Sequence, residues 1–306
     1  MKITVLGAAA GGGFPQWNCH CRNCAGVRAG TLNARPRTQS SIAVMGQDDS
    51  SFVLVNASPD LRAQLEASAP ARPRRGHRDT GIAAVVLADA QLDHTAGLLL
   101  LRESGTPLAI YCTDRVRDDL TRGNPILPVL AHYCDTERFA LAPDGEPFEV
   151  RGAPGVEWRA LPVASKPPPV SPNRQAPEPG DNVAFLLRDG RSGKSALYAP
   201  GLGAVDDTLR RIMCEVDCVL VDGTFFTDDE MIGVGVSRKR ARDIGHLPQS
   251  GPGGMLEQLA ALPSSTRKIL IHINNTNPIL DESSSERAVL AEQGVEVAWD
   301  GMEITL

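Results

Sequence analysis

The order in which strands and helices follow one another constrains the fold of this chain most. Apolar runs bounded by turn residues indicate strands at 40–45 and 52–57, and Ser58 then starts a predicted helix. A second round follows, with predicted strands at 182–187 and 218–222 before further helices. Because strands and helices do not alternate strictly, the order predicts an α/β fold in which two mixed sheets pack together and helices flank them. We therefore predict an αββα sandwich.

Length, charge and cysteine usage narrow the class of protein. No Ser- and Gly-rich linker or fixed repeat divides the 306 residues, so we predict a single domain over 1–306. The net charge of -6 offers no large basic face, and we expect no general nucleic-acid binding. We also expect no membrane span and no secretory signal, because no apolar run is long enough. The sequence leaves the oligomeric state open, with a homodimer as one candidate.

Three of the seven cysteines lie within six positions, as Cys19, Cys21 and Cys24. Three thiolates at this spacing can share one tetrahedral Zn²⁺, whereas an odd cysteine count does not favour a disulfide framework. We predict a structural zinc here and, from the reduced cysteines, a cytoplasmic location. The fourth zinc ligand remains open among Cys112, Cys134, His246 and the segment near His272.

A second group of metal-binding residue types stands where predicted strands end. Asp93 and His94 follow the apolar run 81–87, and His272 ends another apolar run. Two histidines and one carboxylate form the ligand set typical of non-haem Fe(II), which leaves positions open for O₂ or substrate. Asp222 also ends a predicted strand, where it is either a further ligand or the cap of the following turn.

Four segments of the chain resemble the pyrroloquinoline quinone (PQQ) biosynthesis protein B family, and the resemblance runs over the whole length. The segments are 11–21, 56–62, 90–97 and 272–278. That family belongs to the metallo-β-lactamase superfamily, so the resemblance also implies the αββα sandwich. It implies a role in making the redox cofactor PQQ from a Glu and a Tyr of a precursor peptide, with PQQ or such a precursor as the binding partner.

The chain departs from the superfamily at the ligands of the first of two metals. The superfamily motif H-x-H-x-D-H keeps its last two residues here, as Asp93 and His94. The positions of the first metal's three histidines hold Asp89, Gln91 and Ser165. The resemblance therefore implies one active metal, Fe(II) or Zn²⁺, on Asp93, His94 and His272, and argues against a two-zinc hydrolase.

The cysteine cluster is similar to the zinc site of the cyclic phosphodiesterase of phosphonate degradation. In that relative a histidine three residues after the active-site histidine completes the zinc site. The matching position here is Asn275, which is a further candidate for the fourth ligand.

An iron-dependent oxygenase agrees best with the retained ligands, because such an enzyme needs one redox metal with open positions. We expect it to use O₂ to hydroxylate the tyrosine-derived ring of a PQQ precursor. The predicted substrate pocket is lined by Asp89, Gln91, Ser165 and Lys166. The alternative is a carrier that moves PQQ or its precursor toward the periplasm, which needs a pocket but no retained metal ligands.

Overall fold

Two mixed sheets of seven strands each face one another in the computed structural model, which describes residues 1–47, 51–68, 76–77 and 79–306. The predicted sandwich of two sheets flanked by helices is confirmed. The strands are β1 Lys2–Gly7, β2 Ser41–Met45, β3 Phe52–Val55, β4 Ile82–Val86, β5 Leu108–Cys112, β6 Thr136–Ala140, β7 Pro147–Phe148, β8 Val156–Pro162, β9 Val183–Asp189, β10 Ser195–Ala199, β11 Cys218–Asp222, β12 Arg267–Ile271, β13 Val295–Val297 and β14 Glu303–Thr305.

The two sheets have matching patterns of strand pairing. The first has the order β14-β1-β2-β3-β4-β5-β6 and the second the order β13-β12-β11-β10-β9-β8-β7. In the first sheet β3, β4, β5 and β6 run parallel, and in the second β10, β11, β12 and β13 do so. The other pairings are antiparallel. Each half of the chain therefore supplies one group of parallel strands whose carboxyl ends can carry a site.

Side chains of each strand alternate between the layer shared by the sheets and the outer faces, because successive residues of a strand point in opposite directions. In β10, Ala196 and Tyr198 face the shared layer, whereas Leu197 and Ala199 face outward. The strands β11 and β12 repeat this alternation. Both faces of these parallel strands are thus buried, which explains their nearly continuous apolar sequences.

Helices cover the two outer faces. They are α1 Arg22–Ala29, α2 Leu61–Ala67, α3 Leu92–Thr95, α4 Asp114–Asp118, α5 Ile126–Leu130, α6 Asp207–Glu215, α7 Glu230–Val234, α8 Met255–Ala260 and α9 Ser285–Glu292. The apolar residues of α2, α4 and α5 pack on the first sheet, and those of α6, α8 and α9 pack on the second. No helix within the described ranges is both long and apolar enough to cross a membrane.

The helix predicted from Ser58 begins later, at Leu61. The hydroxyl of Ser58 accepts a hydrogen bond from the Asp60 N–H at 3.2 Å, and its carbonyl accepts one from the Leu61 N–H at 3.0 Å. Ser58 therefore closes a turn ahead of the helix, because its side chain and carbonyl satisfy backbone donors before the first helical residue.

Replacing Trp158 tests how much the apolar layer between the sheets stabilises the fold. It is fully buried there, with its ring edge-to-face against Phe185 at a centroid distance of 6.0 Å. We expect Trp158→Ala to lower the free energy of unfolding by about 3–5 kcal/mol, because the cavity cannot close fully. Trp17→Ala is the control, since Trp17 is 86% exposed and should change stability little. Urea unfolding measures the stability of both variants. Equal losses of stability would contradict the role of Trp158 in the layer between the sheets.

Candidate metal centre

Asp93 follows a strand of the first sheet and His272 follows a strand of the second. The two side chains meet at the carboxyl ends of these strands. Asp93 and His94 lie in α3, shortly after β4, and His272 directly follows β12. The backbone of His272 has a φ of 61°, in the left-handed region, which turns the chain sharply at the strand end. His272 Nε2 lies 3.1 Å from an Asp93 carboxylate oxygen. Ligand atoms of Asp93, His94 and His272 all lie within 4.8 Å of one another.

The imidazole of His94 is oriented by Asp89. Its Nδ1 lies 2.8 and 2.9 Å from the two carboxylate oxygens of Asp89, so the Nδ1–H donates to that carboxylate. In the neutral ring the other nitrogen, Nε2, then carries a lone pair. This Nε2 is buried and has no hydrogen-bond partner in the described structure.

A chain of hydrogen bonds orients His272 in the same way. The Thr224 hydroxyl donates to the Asp222 carboxylate at 2.5 Å, and it therefore has only its oxygen left to accept. His272 Nδ1–H donates to that oxygen at 2.9 Å. The lone pair of the neutral ring is then on Nε2, which faces the negatively charged Asp93.

These proton positions fit a bound cation. Two imidazole lone pairs and the Asp93 carboxylate converge on one point, and such an arrangement is repulsive unless a proton or a metal ion lies between the groups. A divalent cation would also satisfy His94 Nε2, which has no hydrogen-bond partner among the described residues. Hydrogen bonding of each distal Nδ1–H to an oxygen is the usual support for histidine ligands.

The pKa values of the ligands agree with this reading. Burial disfavours a charged imidazole, but the nearby carboxylates of Asp89 and Asp93 outweigh it and raise the pKa of His94 to about 9. Burial opposes ionisation of Asp93 too, yet His94 and His272 hold its pKa well below the usual range. Without a cation the site therefore holds a proton on His94 at neutral pH. Metal binding must release that proton, so metal affinity falls as the pH is lowered.

Asp222 and His246 form a second pair beside this point. The Asp222 carboxylate accepts hydrogen bonds from the backbone N–H groups of Leu202 and Thr224 and from the Thr224 hydroxyl. It also accepts from His246 Nδ1–H at 2.6 Å. Four donors thus occupy Asp222, which satisfies both its oxygens. The turn-capping role that the sequence left open is present, and Asp222 also orients His246.

His246 lies at this site and not at the cysteine cluster. Its ring stacks on His272 at a centroid distance of 5.4 Å, and together with Asp222 and His272 it forms a further group of potential metal ligands. From the sequence, His246 is only one of the candidates for the fourth ligand of the structural zinc, and its position at this site corrects that prediction. No spacing signal points to it, because it lies in an irregular segment 24 residues after Asp222.

A cavity of about 260 Å³ opens onto these residues. Three of the four predicted pocket residues, Asp89, Gln91 and Ser165, line it. Lys166 does not, because its ammonium group donates to the Asp243 carbonyl oxygen at 2.5 Å. Its backbone carbonyl instead accepts a hydrogen bond from the Gln91 amide at 3.0 Å. The lining also includes residues that sequence reasoning missed, among them Arg174, Asn182, Phe225, Met231, Lys239 and Asn274.

The cysteine cluster forms a separate candidate zinc site around the start of α1. The sulfur atoms of Cys19, Cys21 and Cys24 lie within 4.8 Å of one another. The side-chain amide of Asn275 approaches them at 3.1, 3.7 and 3.3 Å, respectively. Because amide nitrogen and oxygen are assigned from context, the same side chain can present its oxygen to a cation. Asn275 thus occupies the place of a fourth ligand.

The other candidates for that fourth position lie elsewhere. Cys112 and Cys134 pack with the apolar residues on the outer face of the first sheet.

Burial, together with the neighbouring thiols, raises the pKa of Cys21 to about 11, so this thiol stays protonated unless a cation binds. Three sulfur atoms within reach of one another fit zinc, which binds cysteine as the thiolate, so zinc binding must release the Cys21 proton.

Comparisons with known proteins agree with the fold. A family model described as a beta-lactamase superfamily domain matches residues 52–273. The chain is 59% identical to coenzyme PQQ synthesis protein B of Azoarcus sp. (strain BH72) over 306 residues, and 54% identical to that of Methylobacillus flagellatus over 307, with each relative and this chain covered completely. The structure is similar to Zn²⁺-bound PqqB from Methylobacterium extorquens, with a TM-score of 0.90, 38% identity and full coverage of both chains. A diphosphatase of the PhnP family, at 18% identity and a TM-score of 0.66 over 99% of this chain and 96% of its own, shares the fold.

Replacing a ligand in the cysteine cluster should affect stability. We expect Cys21→Ala to lose about one equivalent of zinc and to lower the melting temperature by at least about 5 °C, because structural zinc contributes directly to folding. Cys214→Ala is the matched control, since Cys214 is exposed and lies outside the cluster. Metal analysis and calorimetry measure both, and an unchanged zinc content in Cys21→Ala would disprove the site.

Replacing His94 should affect the other centre alone. We expect His94→Ala to remove about one metal equivalent and to leave the cysteine-bound zinc in place, because Asp93 and His272 then retain only two donors. The exposed His132 supplies the control variant His132→Ala, which should bind the same metal as the unaltered protein. Unchanged stoichiometry in His94→Ala would move the active metal elsewhere.

Proposed function

Because the chain belongs to the coenzyme PQQ synthesis protein B family of the beta-lactamase superfamily, we propose that it acts in PQQ biosynthesis as an iron-dependent oxygenase. Its substrate is a PQQ precursor. One atom of O₂ enters the tyrosine-derived ring as a hydroxyl group, and the other leaves as water with two protons and with two electrons from an external reductant. Bound at this site, Fe(II) would supply the one-electron chemistry that O₂ activation requires. The proposal rests on one observation above all, the convergence of one carboxylate and two imidazole lone pairs on a single point.

Three residues near that point argue against the first metal of the two-metal pattern. Asp89 stands where the two-metal motif has its first histidine, and both its oxygens are occupied by His94 Nδ1–H. Gln91 donates its side-chain amide to a backbone carbonyl, and Ser165 donates its hydroxyl to the Gly245 carbonyl at 2.9 Å. None of these three side chains is a strong donor to a second divalent ion. A two-zinc hydrolase is therefore disfavoured.

The cavity beside the ligands can hold an aromatic substrate and limit its contact with water. Its walls combine apolar side chains with amide groups, as is usual for small-molecule sites. The larger apolar members are Pro169, Phe225, Met231 and Ile244. A phenol ring enclosed by such residues would reach the ligand atoms of Asp93 and His94 across a partly dry space.

His246 is placed to accept the phenolic proton of the substrate. Its Nδ1–H is committed to Asp222, so in the neutral ring the Nε2 atom is an acceptor. Burial lowers the basicity of the ring, but the Asp222 carboxylate outweighs it and raises the pKa of His246 above its ordinary value. His246 can thus take up a proton at Nε2 while Asp222 keeps the ring in position.

Oxygen incorporation tests the oxygenase directly. Protein loaded with Fe(II) and given a Glu–Tyr peptide, ascorbate as the two-electron reductant and ¹⁸O₂ should yield a product with one added ¹⁸O atom, detected by mass spectrometry. The Zn²⁺-loaded protein should bind the peptide and leave it unchanged, because zinc has no accessible redox chemistry. His272→Ala should abolish the product, whereas His132→Ala should retain it.

Two results would contradict the proposal. Absence of labelled product at every metal loading, combined with PQQ binding that is indifferent to the metal, would favour the carrier. Efficient turnover of cyclic phosphate or lactam substrates would instead favour a hydrolase, at rates of ~1 s⁻¹ or more.

A further inference from the structure

Two cationic side chains line the same cavity as the metal ligands. Arg174 belongs to the proline-rich segment 167–181, and Lys239 belongs to the segment between α7 and β12. They come from parts of the chain that are far apart in sequence and meet only at this cavity. Arg174 is half-buried and Lys239 is exposed.

Neither of these two cations is neutralised by a carboxylate among the described residues. The Arg174 guanidinium donates through Nη1 to the Pro167 carbonyl oxygen, which fixes the side chain but does not balance its charge. Arg240, the neighbour of Lys239, does have a carboxylate partner, since it pairs with Asp228 at 3.8 Å. The charge on Arg174 and Lys239 is therefore available to a ligand.

The acidic groups of the cavity cannot serve these cations. Asp89 is bonded to His94, and Asp93 faces His272, so both carboxylates are committed to the metal centre. The segment that carries Lys239 is rich in positive charge, with four basic residues from 238 to 242 in a chain of net charge -6. The cavity lining thus contains two cations that no carboxylate of the lining neutralises, and such a field attracts anions.

We propose that Arg174 and Lys239 bind the carboxylates of the substrate and thereby hold its phenol ring at the metal centre. This inference rests on the proposed function for the identity of the phenol, but carboxylate binding itself does not depend on catalysis. A guanidinium binds a carboxylate through two parallel hydrogen bonds, and an ammonium adds a second point of attachment. If both carboxylates of the substrate are bound in this way, its phenol ring is restricted to one orientation in the cavity.

A peptide series measures this recognition without turnover. The Zn²⁺-loaded protein is titrated calorimetrically with Glu–Tyr, Gln–Tyr and Gln–Tyr amide, which carry two, one and no carboxylates. Each lost carboxylate should weaken binding by roughly 10-fold, as expected for a charge-assisted hydrogen bond. Inorganic phosphate serves as a competitor, and it should displace Glu–Tyr only weakly if the site is shaped for two separate carboxylates.

Substitutions of Arg174 and Lys239 test whether these two side chains cause the carboxylate preference. Arg174→Gln and Lys239→Gln should each weaken Glu–Tyr binding by roughly 10-fold, and the double variant should bind all three peptides equally. Arg211→Gln and Lys194→Gln are matched controls at exposed positions away from the cavity lining, and they should bind like the unaltered protein. A double variant that still prefers Glu–Tyr, or unaltered protein that binds the three peptides alike, would overturn the inference.

The outcome is separable from that of the oxygenase test. If carboxylate preference disappears in the double variant but no labelled product forms with Fe(II), the anion site stands and the oxygenase is wrong. If labelled product forms while the double variant keeps its preference, the oxygenase stands and Arg174 and Lys239 have no part in recognition. Tight displacement by phosphate would identify the cations as a phosphate site and reject carboxylate recognition.

Discussion

The contact between Asp93 and His272 is the constraint on which the site depends, because it joins the two sheets. Asp93 follows a strand of the first sheet and His272 follows a strand of the second. The backbone reinforces this junction, since the Ala10 N–H donates to the Ile273 carbonyl at 2.9 Å and the Ile273 N–H donates to the Ala8 carbonyl at 2.9 Å. A cation held by Asp93 and His272 would therefore link both halves of the fold, and its binding energy would add to their association.

The residue that replaces the first histidine of the two-metal motif, Asp89, has a different role at this site. A histidine at position 89 would compete for metal, whereas Asp89 accepts the Nδ1–H of His94 through both oxygens and fixes which nitrogen faces the site. Asp222 does the same for His246. Asp89 and Asp222 thus accept hydrogen bonds from histidine rings and hold those rings in position. This role explains why an acidic residue can stand at position 89, where the two-metal motif has a histidine.

The strands, the cysteine cluster and the donor group at Asp93, His94 and His272 could be predicted from the sequence because each leaves a local pattern. Apolar runs predict buried strands, and residues just after such runs lie at the sheet edge. His246 and Arg174 leave no such pattern, since both lie in irregular segments whose path is set by tertiary contacts. Lys166 was predicted to line the cavity, but side-chain direction on an irregular segment cannot be inferred from spacing.

The loop 272–277 connects the two candidate metal sites, and this gives the cysteine cluster a part in positioning the active one. Asn275 faces the three sulfur atoms only three residues after His272. Asn277 donates its side-chain amide to the Gly223 carbonyl at 3.0 Å, while Asn23 donates to the Asn275 carbonyl at 3.1 Å. The left-handed backbone at His272 is unfavourable for a histidine and persists only where its surroundings hold it. Those surroundings include the cysteine cluster through Asn275, so we expect the orientation of the His272 ring to change when the cluster is disrupted.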